Sequence, residues 1–393
     1  MAVVLGMSAC GGYTVGFMWV LGTQYNQIAG YKIDDYTGNL TTMVNSPYPS
    51  GGTDPVSIAV RAGGNYVFVV NKGTLNSKGI SNGDGNISVF AVGEDGILTF
   101  QNIYTSSGNA PVWAATDGGG SFLYVLDSQA PDYATTGNGD ITVFAIDGTT
   151  GRLQLVPNQL IKNGAGQQLS YFEVGKAPTT FRATQQCLYT LDSGDQTIYP
   201  YGIGSGGQLT IEINSTIPLG TVKATSLNVY GTNVYVTDAG STLSTGGSII
   251  PYTPGASCSL SVQADGAVAN LPLTANPVYS LTDTKDKYLY VLNHGGTNSN
   301  NANSTISAFV IEQTGQLQPI SDANNPYPVG NGPVCMVEDP SNQYLYTSNG
   351  NDGSVTGKFL NQNTGQLSDL TRGSSFSAFA GQVTCLTVSG TVD

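Results

Sequence analysis

The stretch Tyr288-Leu289-Tyr290-Val291-Leu292-Asn293 has the pattern of a short apolar strand with an aromatic residue at its centre and a side-chain amide at its exit. Related stretches recur along the chain, and the aromatic residues at their third position are Trp19, Phe68, Tyr124, Tyr189, Tyr235, Tyr290 and Tyr346. Successive members are 49, 56, 65, 46, 55 and 56 residues apart. Seven copies at this period predict a seven-bladed β-propeller of four-stranded antiparallel blades.

A further apolar strand precedes each stretch except the first, as in Pro277-Val278-Tyr279-Ser280-Leu281. A strand of the same type, residues 383–388, stands alone near the C-terminus. We therefore predict that this strand completes the N-terminal blade and closes the ring. No long stretch has apolar residues at helical spacing, so the fold class is all-β. The chain divides into an apolar N-terminal tail, residues 1–16, and one propeller domain, residues 17–393.

The composition limits the partners that the surface can attract. The formal net charge is −13, from 13 basic and 26 acidic residues, and the basic residues form no cluster. Such a surface repels nucleic acid and anionic lipid, so neither is expected as a partner. The low charge density and the abundance of Asn and Thr favour an extracellular or bacterial cell-surface location.

The five cysteines, Cys10, Cys187, Cys258, Cys335 and Cys385, form no pattern typical of a zinc site. Cys335 and Cys385 occupy corresponding places in consecutive repeats. They are therefore the favoured disulfide pair if the compartment is oxidising, and the alternative is two buried thiols.

The N-terminal tail ends in Met7-Ser8-Ala9-Cys10, followed by two glycines. This resembles the end of a bacterial lipoprotein signal, in which Cys10 would be lipidated and would give the chain its one route to a membrane. The apolar run is short, however, and it has no positively charged residues before it. The alternative is a retained tail that adds a strand to the sheet edge of another copy.

Three polar insertions, residues 72–85, 128–139 and 294–303, follow the central stretches of their blades and should lie on one face of the disc. They are candidates for recognition of a glycan or peptide, or else tolerated surface insertions. Asp84, Asp140 and Asp195 lie in loops rich in Asn, Gly and Asp, and their carboxylates suit calcium. The alternative is ordinary turns closed by aspartate side chains. No other cofactor is expected.

The repeats resemble the lactonase-type seven-bladed propellers, the family of bacterial 6-phosphogluconolactonase, over about residues 17–390. The resemblance rests on the strand exits described above, on third strands such as Asn86-Ile87-Ser88-Val89-Phe90-Ala91-Val92, and on Thr-Gly-x-Leu turns such as Thr314-Gly315-Gln316-Leu317. The segments Ser46-Pro47-Tyr48-Pro49 and Asn325-Pro326-Tyr327-Pro328 belong to it as well. It implies the propeller fold, whereas propellers serve many functions.

The resemblance also implies a Gly-Pro-Arg-His run at the start of an inner strand, and this chain has Gly332-Pro333-Val334-Cys335 there. Only His294, Arg182 and Glu173 suggest a catalytic group at the channel mouth, as acid, anion clamp and base. The alternative is three unrelated surface or turn residues.

These observations lead us to expect an exported, non-catalytic scaffold or binding protein that associates with itself, in filaments or tubes, through its apolar tail. The alternative is a lactone hydrolase of the resembling family, with its site at the mouth of the central channel.

Overall fold

The computed structural model describes residues 13–162, 165–211, 216–221, 223–230, 233–240, 247–263, 269–272, 275–295 and 304–390. Residues 1–12 of the N-terminal tail, which include Cys10, and all but two residues of the 294–303 insertion lie outside these ranges. Within them, no helix is both long enough and apolar enough to cross a membrane.

The described chain forms seven antiparallel blades arranged in a ring, as predicted. The first strand begins at Thr14, three residues before the expected start of the domain. The strands, in chain order, are as follows. Blade 1 contains β1 (Thr14–Gly22), β2 (Gln27–Asp34), β3 (Leu40–Thr42) and β4 (Tyr48–Pro49). Blade 2 contains β5 (Pro55–Val60), β6 (Tyr66–Asn71), β7 (Asn86–Val92) and β8 (Leu98–Tyr104). Blade 3 contains β9 (Asn109–Thr116), β10 (Phe122–Gln129), helix α1 (Tyr133–Thr136), β11 (Asn138–Ile146), β12 (Leu153–Leu155), the hairpin β13 (Asn158–Lys162) with β14 (Gln168–Leu169), and β15 (Phe172–Lys176).

The remaining blades repeat this order. Blade 4 contains β16 (Pro178–Ala183), β17 (Cys187–Asp192), β18 (Thr197–Ile203), β19 (Leu209–Ile211) and β20 (Ile217–Pro218). Blade 5 contains β21 (Ala224–Tyr230), β22 (Asn233–Asp238), β23 (Ser248–Pro254), a 3-10 turn (Ala256–Cys258), β24 (Leu260–Val262) and β25 (Ala269–Asn270). Blade 6 contains β26 (Pro277–Thr282), β27 (Tyr288–Asn293), β28 (Thr305–Ile311), β29 (Leu317–Pro319) and β30 (Tyr327–Pro328). Blade 7 contains β31 (Pro333–Glu338), β32 (Tyr344–Asn349), β33 (Ser354–Leu360), β34 (Leu367–Asp369) and β35 (Ser375–Ser377). The last strand is β36 (Val383–Gly390). It is the first, inner strand of blade 1, so β1, β2 and β3 are the second, third and fourth strands of that blade.

The short strands β4, β15, β20, β25, β30 and β35 each pair with the third strand of their blade, an addition that the sequence did not predict. The second strand of each blade is buried along nearly its whole length, and its first four residues are mostly apolar, because neighbouring blades pack on both of its faces. In β27, all six residues are buried. A continuous apolar run is what burial on two faces requires.

The ring closes as the sequence predicts, because β36 pairs with β1 and becomes the inner strand of blade 1. Trp19 lies opposite Thr387, and Val20 lies opposite Leu386. A disulfide between Cys335 and Cys385 joins β36 to the inner strand of blade 7. These are the two cysteines that the sequence favoured as a pair. Closing a loop of 50 residues stabilises the fold by about 4 kcal/mol in the chain-entropy model.

Neighbouring blades are joined by a repeated hydrogen bond. The central aromatic residue of a second strand donates to the backbone carbonyl of the turn glycine between the third and fourth strands of the next blade. Four junctions share this bond: Trp19 to Gly96 at 3.1 Å, Tyr235 to Gly315 at 3.1 Å, Tyr290 to Gly365 at 2.9 Å and Tyr346 to Gly38 at 2.6 Å.

The first residue of the second strand packs against the same glycine. At Gly365, whose φ is +70°, an added Cβ would lie 2.4 Å from the ring of Tyr288. Gly38 and Tyr344 repeat this arrangement, again at 2.4 Å. Both tyrosines of a Tyr-x-Tyr strand therefore contact the same glycine of the next blade. The ring of the first packs against it, and the hydroxyl of the second donates a hydrogen bond to its carbonyl oxygen.

The junction between blades 4 and 5 is built differently. Cys187 takes the place of the first aromatic residue, and the glycine turn of blade 5 is replaced by the segment that contains the 3-10 turn. Cys187 and Cys258 form a disulfide across the junction, with their Cα atoms 5.6 Å apart. A covalent bond thus takes the place of the ring that packs on the turn glycine at five of the other six junctions. This pair was not predicted from the sequence.

We predict that Gly365→Ala destabilises the protein by about 1–3 kcal/mol, because the new methyl group meets the Tyr288 ring and alanine is strained at positive φ. Thermal and urea unfolding followed by circular dichroism measure the change. Gly118→Ala is the matched control, because an added Cβ there meets no atom within 4 Å. Equal losses of stability in the two variants would contradict the proposed role of the turn glycine.

We also predict that deleting residues 382–393 opens the ring, because it removes β36 and its disulfide. The expected result is a large fall in melting temperature and a broader unfolding transition. A chain that ends at residue 390 is the control and should unfold like the full chain. A truncated protein that melts at the temperature of the full chain would refute the closure.

Candidate functional site

The face of the disc at which the second strands end is called the upper face here. Inner strands begin at this face and third strands start there, since Asn293 lies opposite both Pro277 and Thr305. Glu173 lies opposite Asp140 at the start of β11, so it belongs to the upper face as well. His294 directly follows Asn293. The upper face therefore carries two of the three residues predicted to be catalytic.

The amides at the strand exits hold the second strand to the third. The buried Asn293 donates from Nδ2 to the hydroxyl oxygens of Thr305, at 3.2 Å, and Ser307, at 2.9 Å. Asn349 makes the equivalent bonds to Ser354 and Thr356, both at 3.0 Å. Asn71 does the same with Asn86 and Ser88. The asparagine at this position therefore has a structural role: it links the second and third strands of its blade.

Blade 3 has a carboxylic acid at this position, and a second one opposite it. Asp127 and Asp140 are cross-strand partners, and both are fully buried. Asp127 accepts hydrogen bonds from Ser106, at 2.6 Å, and from Thr142, at 3.4 Å. Burial raises the pKa of both carboxyls, and the charge of Asp127 raises the pKa of Asp140 further. A protonated carboxyl carries one O–H donor, so it can donate a hydrogen bond as an amide does.

Asp192 occupies the same position in blade 4. Burial raises its pKa to about 7, against the opposing effect of the hydrogen bond from the Thr190 hydroxyl. Burial likewise raises the pKa of Glu338 to about 7. The blades thus contain several carboxyls that are neutral in mildly acidic solution.

The three predicted calcium ligands lie in three different blades. Asp84 accepts hydrogen bonds from the backbone and the hydroxyl of Thr74, both at 2.8 Å, and so closes its loop. Asp140 is one of the buried pair. Asp195 accepts a bond from the backbone of Lys176 at 2.7 Å. In the described ranges, no group of three or more His, Cys, Asp or Glu side chains is suited to hold a metal ion. Calcium binding stays a prediction.

The contacts of the three predicted catalytic residues do not join them to one another. Glu173 is exposed and accepts a hydrogen bond from Asn138 at 2.6 Å. His294 is tied through its backbone to Asn276 and to the Ser304 hydroxyl. Arg182 lies on the inner strand of blade 4, against the central channel. Their joint action also stays a prediction.

Arg182 is the best-organised polar group in the channel. Its guanidinium stacks on the rings of Trp113 and Tyr279, with the central carbon 4.9 Å and 5.6 Å from the ring centroids. It donates to the Thr180 hydroxyl at 2.9 Å and to the Tyr279 hydroxyl at 3.2 Å. Neither ion pair in the described part of the chain involves Arg182. Its charge is therefore available to an anion or a polarised carbonyl.

The cavity beside Arg182 has a volume of about 150 Å³. Trp113, Tyr279 and the Cys335–Cys385 disulfide line it together with small hydroxyl side chains. The indole Nε1–H of Trp113 is buried and has no hydrogen-bond partner. No carboxylate or imidazole is among the residues that line this cavity. The site is therefore rich in donors and carries one positive charge.

Sequence reasoning identified Arg182 but missed Trp113 and Tyr279. A signal was present, because the third residue of successive inner strands faces the channel. Aligned at that position are Ser57, Trp113, Thr180, Ser226, Tyr279, Cys335 and Cys385. Six of these seven residues line the cavity.

Comparison with known proteins supports the fold directly. A family model described as "Lactonase, 7-bladed beta-propeller" matches residues 13–170. No curated protein matches the chain in sequence. Among solved structures, the periplasmic gluconolactonase of Pseudomonas aeruginosa aligns over 96% of this chain and 100% of its own, at 14% identity and a TM-score of 0.71. A Bacteroides fragilis protein, described provisionally as a 6-phosphogluconolactonase, aligns over 96% of this chain and 98% of its own, at 18% identity and a TM-score of 0.71.

Structural likeness at such low identity establishes the fold alone. The family match favours the lactonase alternative over our leading expectation of a non-catalytic, self-assembling scaffold, for which the comparisons give no support.

We predict that the stability of the protein falls as the pH rises from 5 to 8, and that Asp127→Asn reduces this dependence. A carboxyl whose pKa is raised on folding stabilises the native state below its unfolded pKa of about 4. It loses that contribution as the pH rises through its native pKa. Asparagine already occupies this position in blades 2, 6 and 7, and it keeps the donor at every pH.

Melting temperatures measured across this pH range give the result, with the exposed Asp35→Asn as the control. An Asp127→Asn protein with the pH profile of the unmodified chain would show that the buried pair does not titrate as described.

Proposed function

Because the chain is a lactonase-like seven-bladed β-propeller, we propose that it opens a small lactone ring in its central channel. The observation that carries the proposal is Arg182, a cation held between two aromatic rings and lacking a carboxylate partner in the described part of the chain. The lactonase family match supports the reaction class.

In lactone hydrolysis, water adds to the carbonyl carbon and negative charge develops on the carbonyl oxygen. Preorganised donors aimed at that oxygen lower the barrier. Arg182 and the Tyr279 hydroxyl are the donors that the channel offers beside the cavity. The C–O bond of the ring then breaks, and the product is a hydroxy acid whose carboxylate pairs with Arg182. In this proposal the channel stabilises charge, and solvent water is the nucleophile.

The substrate class follows from charge and volume. One guanidinium balances a single carboxylate, whereas a phosphorylated sugar acid calls for additional cations. The cavity of about 150 Å³ suits a five- or six-membered ring with few substituents. We therefore favour an unphosphorylated lactone as the substrate.

The proposed location is outside the cytoplasm. Two disulfides join different parts of the ring, and such bonds persist in oxidising compartments. The Pseudomonas aeruginosa relative is described as periplasmic. The predicted lipid anchor at Cys10 lies outside the described residues.

Turnover of a panel of γ- and δ-lactones, followed by proton release, tests the proposal. We expect Arg182→Ala to lower kcat/KM on the order of a hundredfold, the loss typical of one oxyanion donor. Arg372→Ala, which changes an exposed arginine, is the control and should retain activity. His294→Ala and Glu173→Ala test whether either residue transfers a proton. The absence of turnover on every lactone, or full activity of Arg182→Ala, would overturn the proposal.

A further inference from the structure

A second cavity, of about 700 Å³, opens on the upper face between blades 7 and 1. It is formed by the turn between β32 and β33, by the segment that leads into β36, and by the turn after β1. It shares no lining residue with the channel cavity. It is therefore a separate place at which a ligand can bind.

The lining of this cavity is polar and carries no cation. It contains the amides Gln24, Asn331, Asn351 and Gln382 and the carboxylate Asp352. Amides both donate and accept hydrogen bonds, which matches hydroxyl groups that do the same. A carboxylate accepts from two neighbouring hydroxyls. With no positive charge among them, these residues do not suit a phosphate or a nucleic acid.

Two aromatic rings stand at this cavity and face solvent. Phe379 lines it and is 67% exposed, whereas Tyr25, which is 59% exposed, lies against the lining residue Gly381 without lining the cavity itself. The φ of Phe379 is +53°, a region that a non-glycine residue occupies only at a cost. The backbone of this segment therefore holds an apolar ring out of the core. An exposed ring beside a polar cleft supplies a flat apolar surface for a ligand that is itself both apolar and polar.

The side chains are held in place before any ligand arrives. Asp352 accepts hydrogen bonds from the Asn331 backbone, at 2.7 Å, and from the Ser354 hydroxyl, at 2.6 Å. The two loops touch closely, since a Cβ on Gly353 would lie 2.7 Å from the carbonyl oxygen of Gly381. Such preorganisation lowers the entropy cost of binding.

From this combination we propose that the cavity between blades 7 and 1 binds a neutral pyranose saccharide. Its hydroxyls bond to the amides and to Asp352, and the C–H face of a ring packs on Phe379. An apolar peptide, including the tail of another copy, lacks partners for so many polar groups. The proposal concerns a site distinct from the Arg182 channel and does not depend on lactone hydrolysis.

Isothermal titration calorimetry of the full chain tests this proposal with glucose-, mannose-, galactose- and N-acetylglucosamine-based oligosaccharides of two to four units. We expect saturable binding of at least one of them. Phe379→Ala should raise its Kd about tenfold, the scale of a lost ring contact. Asp352→Asn should weaken binding as well. Tyr36→Ala, which removes an exposed ring elsewhere, is the matched control and should leave the Kd unchanged.

Arg182→Ala separates the two sites, because it should lower lactone turnover on the order of a hundredfold and leave saccharide binding intact. Absence of saturable binding across the panel, or an unchanged Kd in both Phe379→Ala and Asp352→Asn, would overturn the saccharide site. Loss of binding in Arg182→Ala would place the saccharide in the channel and would overturn it equally.

Discussion

The hydrogen bond from the central aromatic residue of one blade to the turn glycine of the next joins four of the seven blade junctions, and these junctions depend on it. It satisfies a polar group that is buried where two apolar sheets meet, and an unsatisfied group there costs free energy. It also fixes how one blade is positioned against the next, because the donor and the acceptor reach hydrogen-bonding distance at only one position of the two sheets. At blade 2, where the central residue is Phe68, the hydroxyl of Tyr66 bonds to Thr149 of blade 3 instead. Between blades 4 and 5, a disulfide takes over the same role.

The ring could be predicted because each strand carries its own signal. A strand buried on both faces is apolar throughout, a turn at positive φ needs glycine, and both recur at a regular interval. The lone strand at the C-terminus had only one incomplete blade to join. The additional short strands, by contrast, are two or three residues long in most blades, and so few residues show no periodicity.

The candidate site was only partly predictable, because its residues come from blades far apart in the sequence. Trp113, Arg182 and Tyr279 meet only after the ring closes. Cys187 and Cys258 form a disulfide because the first residue of β17 packs against the turn that precedes β24 in the next blade. The spacing of the two cysteines in the sequence does not show this contact. Asp140, one member of the buried Asp127–Asp140 pair, was predicted to be a calcium ligand. The composition of its loop does not show that its side chain is buried. At this position of blade 3, carboxyls take the place of the amides of other blades. The chain has few cations to pair with a buried carboxylate, and burial raises the pKa of these carboxyls and so favours their neutral form.

The Cys335–Cys385 bond also has a mechanical consequence. It makes blade 7 a covalent loop of 50 residues, so a single cut of the backbone inside this loop releases neither fragment. Tension applied to the C-terminal end can peel residues 386–390 away from β1, but at Cys385 it passes through the sulfur atoms into β31 and does not unravel blade 7. The disulfide therefore keeps blade 7 attached to the ring after a proteolytic cut within residues 335–385 and limits how far a pull on the C-terminal end can unravel the chain.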